Sequence, residues 1–272
     1  MDPLFLTAAA VAVVMIAYAS VCDFRYREVN DLPWWAMVLT GVSVISVMAI
    51  RDGEGMIPAV SSVYALIVFG GLTADKRPVI LAAASAILPL CAFLSGSDTW
   101  VLQVSLSPVF VSVFYALYVI GMVPGGADAK CLMSLSILFP AVFGPMFSGY
   151  ADVGITEAVF PPAMKVLLLS CIITIVVGGA WIMYKGRGLA HLISADYRIS
   201  LEEARRSFVW VLEDVSEGKA IRIPRSDDVE GACRRLEGIG RTDVLVSPMF
   251  PFIIPMAVSL VYLLIAGCPF IS

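Results

Sequence analysis

Two acidic side chains in this chain stand where acids are costly. Asp128 lies in the run Val123-Pro124-Gly125-Gly126-Ala127-Asp128-Ala129-Lys130, which joins two long apolar segments. Asp23 follows directly on the first apolar segment, Leu4–Cys22. Hydrocarbon cannot solvate a carboxylate, so an acid where the chain enters lipid calls for a use. Two such acids at one depth suggest a shared chemistry. Paired carboxyls within hydrogen-bond reach hold one proton between them. The ionised partner takes a proton from water, and the water oxygen attacks a carbonyl. The protonated partner donates to the carbonyl oxygen and then to the leaving amine. Gly125 and Gly126 beside one acid would let a peptide backbone come close. Each acid also has a plainer role: Asp128 as a helix N-cap, and Asp23 as an interfacial charge partnered by Arg25 or Arg27.

The elements that must position these acids are apolar spans. The 272 residues are 60% hydrophobic and 15% charged, where soluble chains carry roughly 25% charged residues. Leu4–Cys22 has the length of a bilayer-spanning helix. It is expected to be a retained span, since Met1-Asp2-Pro3 is no basic signal-peptide start and no small-residue cleavage site follows. Further spans are expected from Pro33 to Ile50, Met56 to Ala74, Pro78 to Leu94, Val101 to Val123, Ala129 to Phe147 (interrupted by Pro140 and Pro145), Met164 to Tyr184, and Pro248 to Ala266. The fold class is thus an all-α polytopic membrane protein with about eight transmembrane helices. A small α/β or helical domain, Lys185–Val246, is inserted before the last helix. The expected division is a membrane core over 1–184, this domain over 185–246, and a final helix within 247–272. In the domain, Ser200 and Glu203 form a capping box ahead of a helical repeat running from Leu201 to Val215.

Charge placement orients the spans. Arg25, Arg27, Lys76, Arg77, Lys130 and the inserted domain fall on one side, and Arg51 and Lys165 on the other. The first side is expected to be cytoplasmic, with both termini outside, which places Asp23 and Asp128 on the cytoplasmic face. The inserted domain holds eleven basic and eleven acidic residues, so a nucleic-acid role, which needs a basic excess, is set aside. The six cysteines form no C-x-x-C pair, and His191 is the only histidine. No metal site, cofactor or Ser-His or Cys-His nucleophile is expected from them.

The residues bear a likeness to a known family. Gly125-Gly126-Ala127-Asp128-Ala129-Lys130 resembles the G-x-G-D-x-K motif of GxGD membrane aspartyl proteases. Asp23-Phe24-Arg25-Tyr26-Arg27-Glu28-Val29-Asn30 resembles the first-aspartate motif of the type IV prepilin peptidase branch. Val246-Ser247-Pro248-Met249-Phe250-Pro251-Phe252-Ile253-Ile254-Pro255, with a cytoplasmic insert before it, is similar to the last span of archaeal preflagellin peptidases. The likeness covers most of the chain. It implies an aspartic endopeptidase of the cell membrane with Asp23 and Asp128 as catalytic acids. Such enzymes remove the short basic leader from preflagellins or prepilins, just before a hydrophobic segment. Gly125, Gly126, Ala127 and Lys130 would support the motif. Glu28 and Asp31 are expected to attract the basic leader. Two departures stand out. Ala127 replaces a motif glycine and would be strained at positive φ. The chain also offers two spans more than the archaeal pattern, between Met56 and Leu94.

Three rival readings remain. A transporter would need ionisable residues in mid-span, and the spans are nearly free of them. A presenilin-like protease would share Gly125–Asp128 but not the basic stretch after Asp23. A non-enzymatic scaffold would share the whole pattern without activity.

Overall fold

The structure, a computed structural model, describes residues 2–74, 78–123, 125–146, 149–150, 160–186, 196–216 and 218–267. Pro124, His191, Cys268 and the Asp75-Lys76-Arg77 turn lie outside that set. The chain divides into two compact units, Met1–Cys171 with Pro251–Ser272, and Ile172–Phe250.

The first unit is helical. It holds α1 (Pro3–Tyr26), α2 (Leu32–Asp52), α3 (Ile57–Thr73), α4 (Pro78–Ala84), α5 (Ile87–Leu94), α6 (Thr99–Ser105), α7 (Ser107–Val119), α8 (Gly126–Leu138), the start of α9 (Pro162–Gly186) and a last helix, Ile253–Ala266. Four stretches are long and apolar enough to cross a membrane: Pro3–Tyr26, Leu32–Asp52, Thr99–Val119 and Pro162–Lys185. Ile57–Thr73, Val79–Leu94 and Ile253–Ala266 are apolar but shorter. The chain is mostly helical, with four helical stretches that could span a membrane in place of the expected eight, which is consistent with membrane association.

Prolines account for the interruptions. Pro89 has no N–H for the carbonyl of Ser85, and the expected fourth span breaks at Ser85-Ala86 into α4 and α5. Pro108 likewise leaves the carbonyl of Val104 without its helical donor. The Ser107 hydroxyl donates to that carbonyl instead, at 2.8 Å, where α6 meets α7. The expected sixth span is much shorter than Ala129–Phe147. α8 stops at Leu138 because Phe139, ahead of Pro140, is pushed out of the helical region to φ −124°, ψ 72°. The chain then turns back over α1. Phe5 packs against Phe139, Phe143 and Tyr150 with ring centroids 5.7, 5.3 and 5.4 Å away, and Gln103 accepts the Val142 N–H at 3.2 Å.

The second unit carries the end of α9 and an antiparallel sheet of β1 (Tyr197–Ser200), β2 (Val209–Ser216), β3 (Lys219–Ser226) and β4 (Asp243–Pro248), in the order β1-β4-β2-β3. Two helices, α10 (Leu201–Arg206) and α11 (Val229–Gly238), complete it, and the last helix of the chain is α12 (Ile253–Ala266). The expected helix from Leu201 to Val215 is corrected here. Ser200 does cap, accepting the Glu203 N–H at 3.1 Å, but the helix ends at Arg206. Val209, Trp210, Val211 and Leu212 are β-formers, and pairing with β3 and β4 outweighs their helical spacing. Tyr197, Ile199, Val209, Val211, Val244 and Val246 from the sheet join Leu201, Ala204, Ala232, Cys233 and Leu236 from the helices in one core.

Candidate active site

Asp128 is the third residue of α8, whose N-cap is Gly125. An acid in the first turn is favoured by the free N–H groups there. Its side chain is nonetheless nearly closed off from solvent, at 8% exposure. The carboxylate folds back over Gly125: a methyl group built on Gly125 would collide with it. Gly125 itself is extended, at φ −100° and ψ 128°, so the glycine is needed here for space. Gly126 differs, since a methyl group there would only reach ordinary contact with the Tyr118 hydroxyl, at 3.6 Å. Ala127 lies in the first turn of the helix, and its φ is not positive. The alanine in place of the motif glycine is therefore unstrained.

Asp23 lies in the last turn of α1 and is partly buried. A carboxylate at a helix C-terminus meets the negative end of the helix dipole, so α1 does not favour it there. Compensation comes from outside the helix. Arg27, the αL residue that ends α1 at φ 57°, exerts its charge on Asp23, and the carboxyl faces the backbone N–H of Ile253 at the start of α12. Arg27 also closes the turn, donating its N–H to the Asp23 carbonyl at 3.2 Å. One Asp23 carboxylate oxygen, Oδ2, is buried without a hydrogen-bond partner among the described residues.

α1 packs against α8, and the Asp23 and Asp128 carboxyls lie within electrostatic reach of one another. Both acids therefore stand at the same end of the helical unit. Of the other residues expected at the site, Lys130 is turned toward Asp31, with Nζ 2.6 Å from Oδ1. Lys130 thus pairs with Asp31 and not with Asp128. Glu28 is exposed, with no hydrogen bond or ion pair among the described residues.

A cavity of about 390 Å³ adjoins α8, lined by Leu72, Thr73, Tyr115, Tyr118, Gly126, Ala129, Lys130 and Met133. The α8 residues in it follow helical spacing, and Asp128 falls on the other side of the helix. The cavity and the acid pair are separate features. Of the two partners expected for Asp23, Arg25 or Arg27, it is Arg27 whose charge acts on it. Sequence reasoning missed the support from the Ile253 N–H and the contact of Tyr118 with Gly126. The Arg27 charge was visible in the sequence; its left-handed backbone and the Ile253 N–H were not. Among the described residues no group of histidine, cysteine and acidic side chains could hold a metal ion. No protein-family model matches the chain, and the search of curated proteins finds no match.

Proposed function

We propose that this protein is a membrane aspartic endopeptidase that uses Asp23 and Asp128 to activate water. The observation that carries the reading is that two acids more than a hundred positions apart in sequence lie on adjoining ends of two helices that pack together, α1 and α8, within electrostatic reach of one another. The dipole of α1 does not favour Asp23 in its C-terminal turn, and one Asp23 carboxylate oxygen, Oδ2, is buried with no hydrogen-bond partner among the described residues. The space kept free at Gly125 serves the Asp128 carboxylate alone.

In the proposed reaction one carboxylate removes a proton from water while the water oxygen bonds to the scissile carbonyl carbon. The other, protonated, carboxyl donates to the carbonyl oxygen. As the C–N bond breaks, the nitrogen takes a proton from one carboxyl while a hydroxyl of the tetrahedral intermediate returns its proton to the other, leaving an amine, a carboxylic acid and the pair ready for another cycle. The resemblance supplies the substrate class: preflagellin- or prepilin-like proteins with a short basic leader and a hydrophobic helix. Glu28, an exposed acid near Asp23 with no ion pair among the described residues, is the candidate to attract the leader. In this reading the chain crosses the membrane eight times, with the acid pair on the cytoplasmic face and both termini outside. The eight are the four long stretches, the three shorter apolar helices and α8; four of them lie between Asp23 and Asp128, an even number that keeps the two acids on one side.

The test is cleavage of a preflagellin in proteoliposomes. Asp23→Asn and Asp128→Asn should each lower the rate by at least about 10³-fold while the protein still folds and inserts, since neither half of such a pair works alone. Cleavage near the wild-type rate by either variant would refute the assignment.

A further inference from the structure

Each of the two acids is followed closely by a charged residue of the opposite kind from its partner's. Asp31 comes eight residues after Asp23, and Lys130 two residues after Asp128. In the fold these followers meet, with Lys130 Nζ 2.6 Å from Asp31 Oδ1. The pair joins the start of α2 to the first turn of α8, across ninety-nine positions of sequence.

Asp31 occupies the N-cap position of α2, where an aspartate ordinarily accepts an N–H of its own helix. Here it makes no capping hydrogen bond; its carboxylate is given to Lys130. α8 has no side-chain cap either, because Gly125 occupies that position. The turn that carries Asp128 therefore lacks the usual local restraint on a helix start. Deeper in the unit, α2 and α8 touch backbone to backbone: a methyl group on Gly41 would lie 2.8 Å from the Ile137 oxygen and the Leu138 Cα. That contact fixes the far end of α8. At the near end, the Lys130–Asp31 bridge supplies the restraint that the missing cap does not.

We infer that Asp31 and Lys130 are positioning residues, a clasp that sets the first turn of α8, and with it Asp128, against the end of α1 that carries Asp23. The inference rests on the peptidase reading for its catalytic consequence. The bridge is solvent-accessible, with side-chain exposures of 29% for Lys130 and 53% for Asp31. Exposed bridges contribute little to stability, at most about 1 kcal/mol, so removing one charge leaves the fold intact. Geometry is more demanding: a misplacement of about 1 Å can cost 10²-fold in rate.

The test compares Asp31→Asn, Lys130→Gln and the reversed pair Asp31→Lys with Lys130→Asp, in full-length protein in proteoliposomes. Cleavage of a preflagellin is followed by kcat and KM, and backbone hydrogen exchange over residues 125–131 is followed in the same preparations. Each single variant should lower kcat roughly 10- to 100-fold with KM little changed, and should speed exchange in the first turn of α8. The reversed pair should recover most of kcat and restore slow exchange. A rise in KM at constant kcat, unrelieved by the reversed pair, would assign Asp31 to leader binding and overturn the clasp. If the wild-type protein fails to cleave, or if Asp23→Asn and Asp128→Asn cleave normally, the peptidase reading falls. The exchange measurement then decides the clasp alone, and unchanged exchange in both single variants refutes it.

Discussion

Gly125 and Ala127, two residues apart in the same motif, show why residue type must be judged against the local backbone. Sequence alone pointed to Ala127 as the weak position, because a glycine is expected there and positive φ would strain an alanine. Ala127 is helical, and the position without room for a side chain is Gly125, where the Asp128 carboxylate occupies the space a methyl group would need. Gly125→Ala should therefore displace that carboxylate and lower cleavage at least tenfold, whereas Gly126→Ala, whose methyl group meets only ordinary contact, should cleave within about twofold of wild type. Ala127→Gly should give no gain in rate and a lower unfolding midpoint, since glycine in a helix costs about 0.5–1 kcal/mol relative to alanine. A rate increase in Ala127→Gly, measured in the same proteoliposome assay, would mean that the turn adopts a different backbone during catalysis.

Among the elements, the contact between α2 and α8 decides how the short helix bearing Asp128 is held. α8 has only thirteen residues, yet its residues from Cys131 to Leu138 are all buried. Such a helix is held by packing more than by its own propensity. Gly41 lets α2 approach the backbone of Ile137 and Leu138. Gly41→Ala should force the two helices apart and destabilise the helical unit by about 1–3 kcal/mol, measured as a lower denaturant midpoint in detergent micelles. An unchanged midpoint would show that α2 can shift without loss, and would weaken the role given to this contact in fixing α8. The same scale explains the largest error of span reading. Apolar composition continues well past Leu138, but Pro140 and the Phe5, Phe139, Phe143 and Tyr150 cluster turn the chain back.

At the scale of the whole molecule, the chain combines an apolar helical unit with a unit built around a charged sheet, and the two respond to different variables. In the sheet unit Arg235 grips Asp214 with two hydrogen bonds, Nε to Oδ1 at 2.7 Å and Nη2 to Oδ2 at 2.9 Å. The guanidinium holds the Asp214 carboxyl below its ordinary value of 3.8. The unfolded chain then binds the proton first as pH falls. The stability from this pair is complete above the ordinary carboxylate range and is lost as pH falls through the lowered folded value. Asp214→Asn should flatten this acid limb, read by denaturant unfolding followed through the fluorine signal of Trp210 in fluorotryptophan-labelled protein. An acid limb as steep as in wild type would place the titration elsewhere.

Composition and local pattern by themselves determined that the chain is largely apolar and helical, with stretches able to span a membrane, that a polar unit interrupts it before the last helix, and that Asp23 and Asp128 are the acids to examine. These follow from the cost of placing charge in hydrocarbon, which any single segment reveals. Helix lengths, the strand at Val209–Ser216 and the partners of each charge depended on residues distant in sequence. Ser200 opens a helix that β2 pairing cuts short, and Lys130, two residues after Asp128 in the motif, takes Asp31 as its partner. The approach of Asp23 to Asp128 belongs to the same class. Local sequence sets which groups need a partner, and only the packing of α1, α2 and α8 decides which partner each one meets.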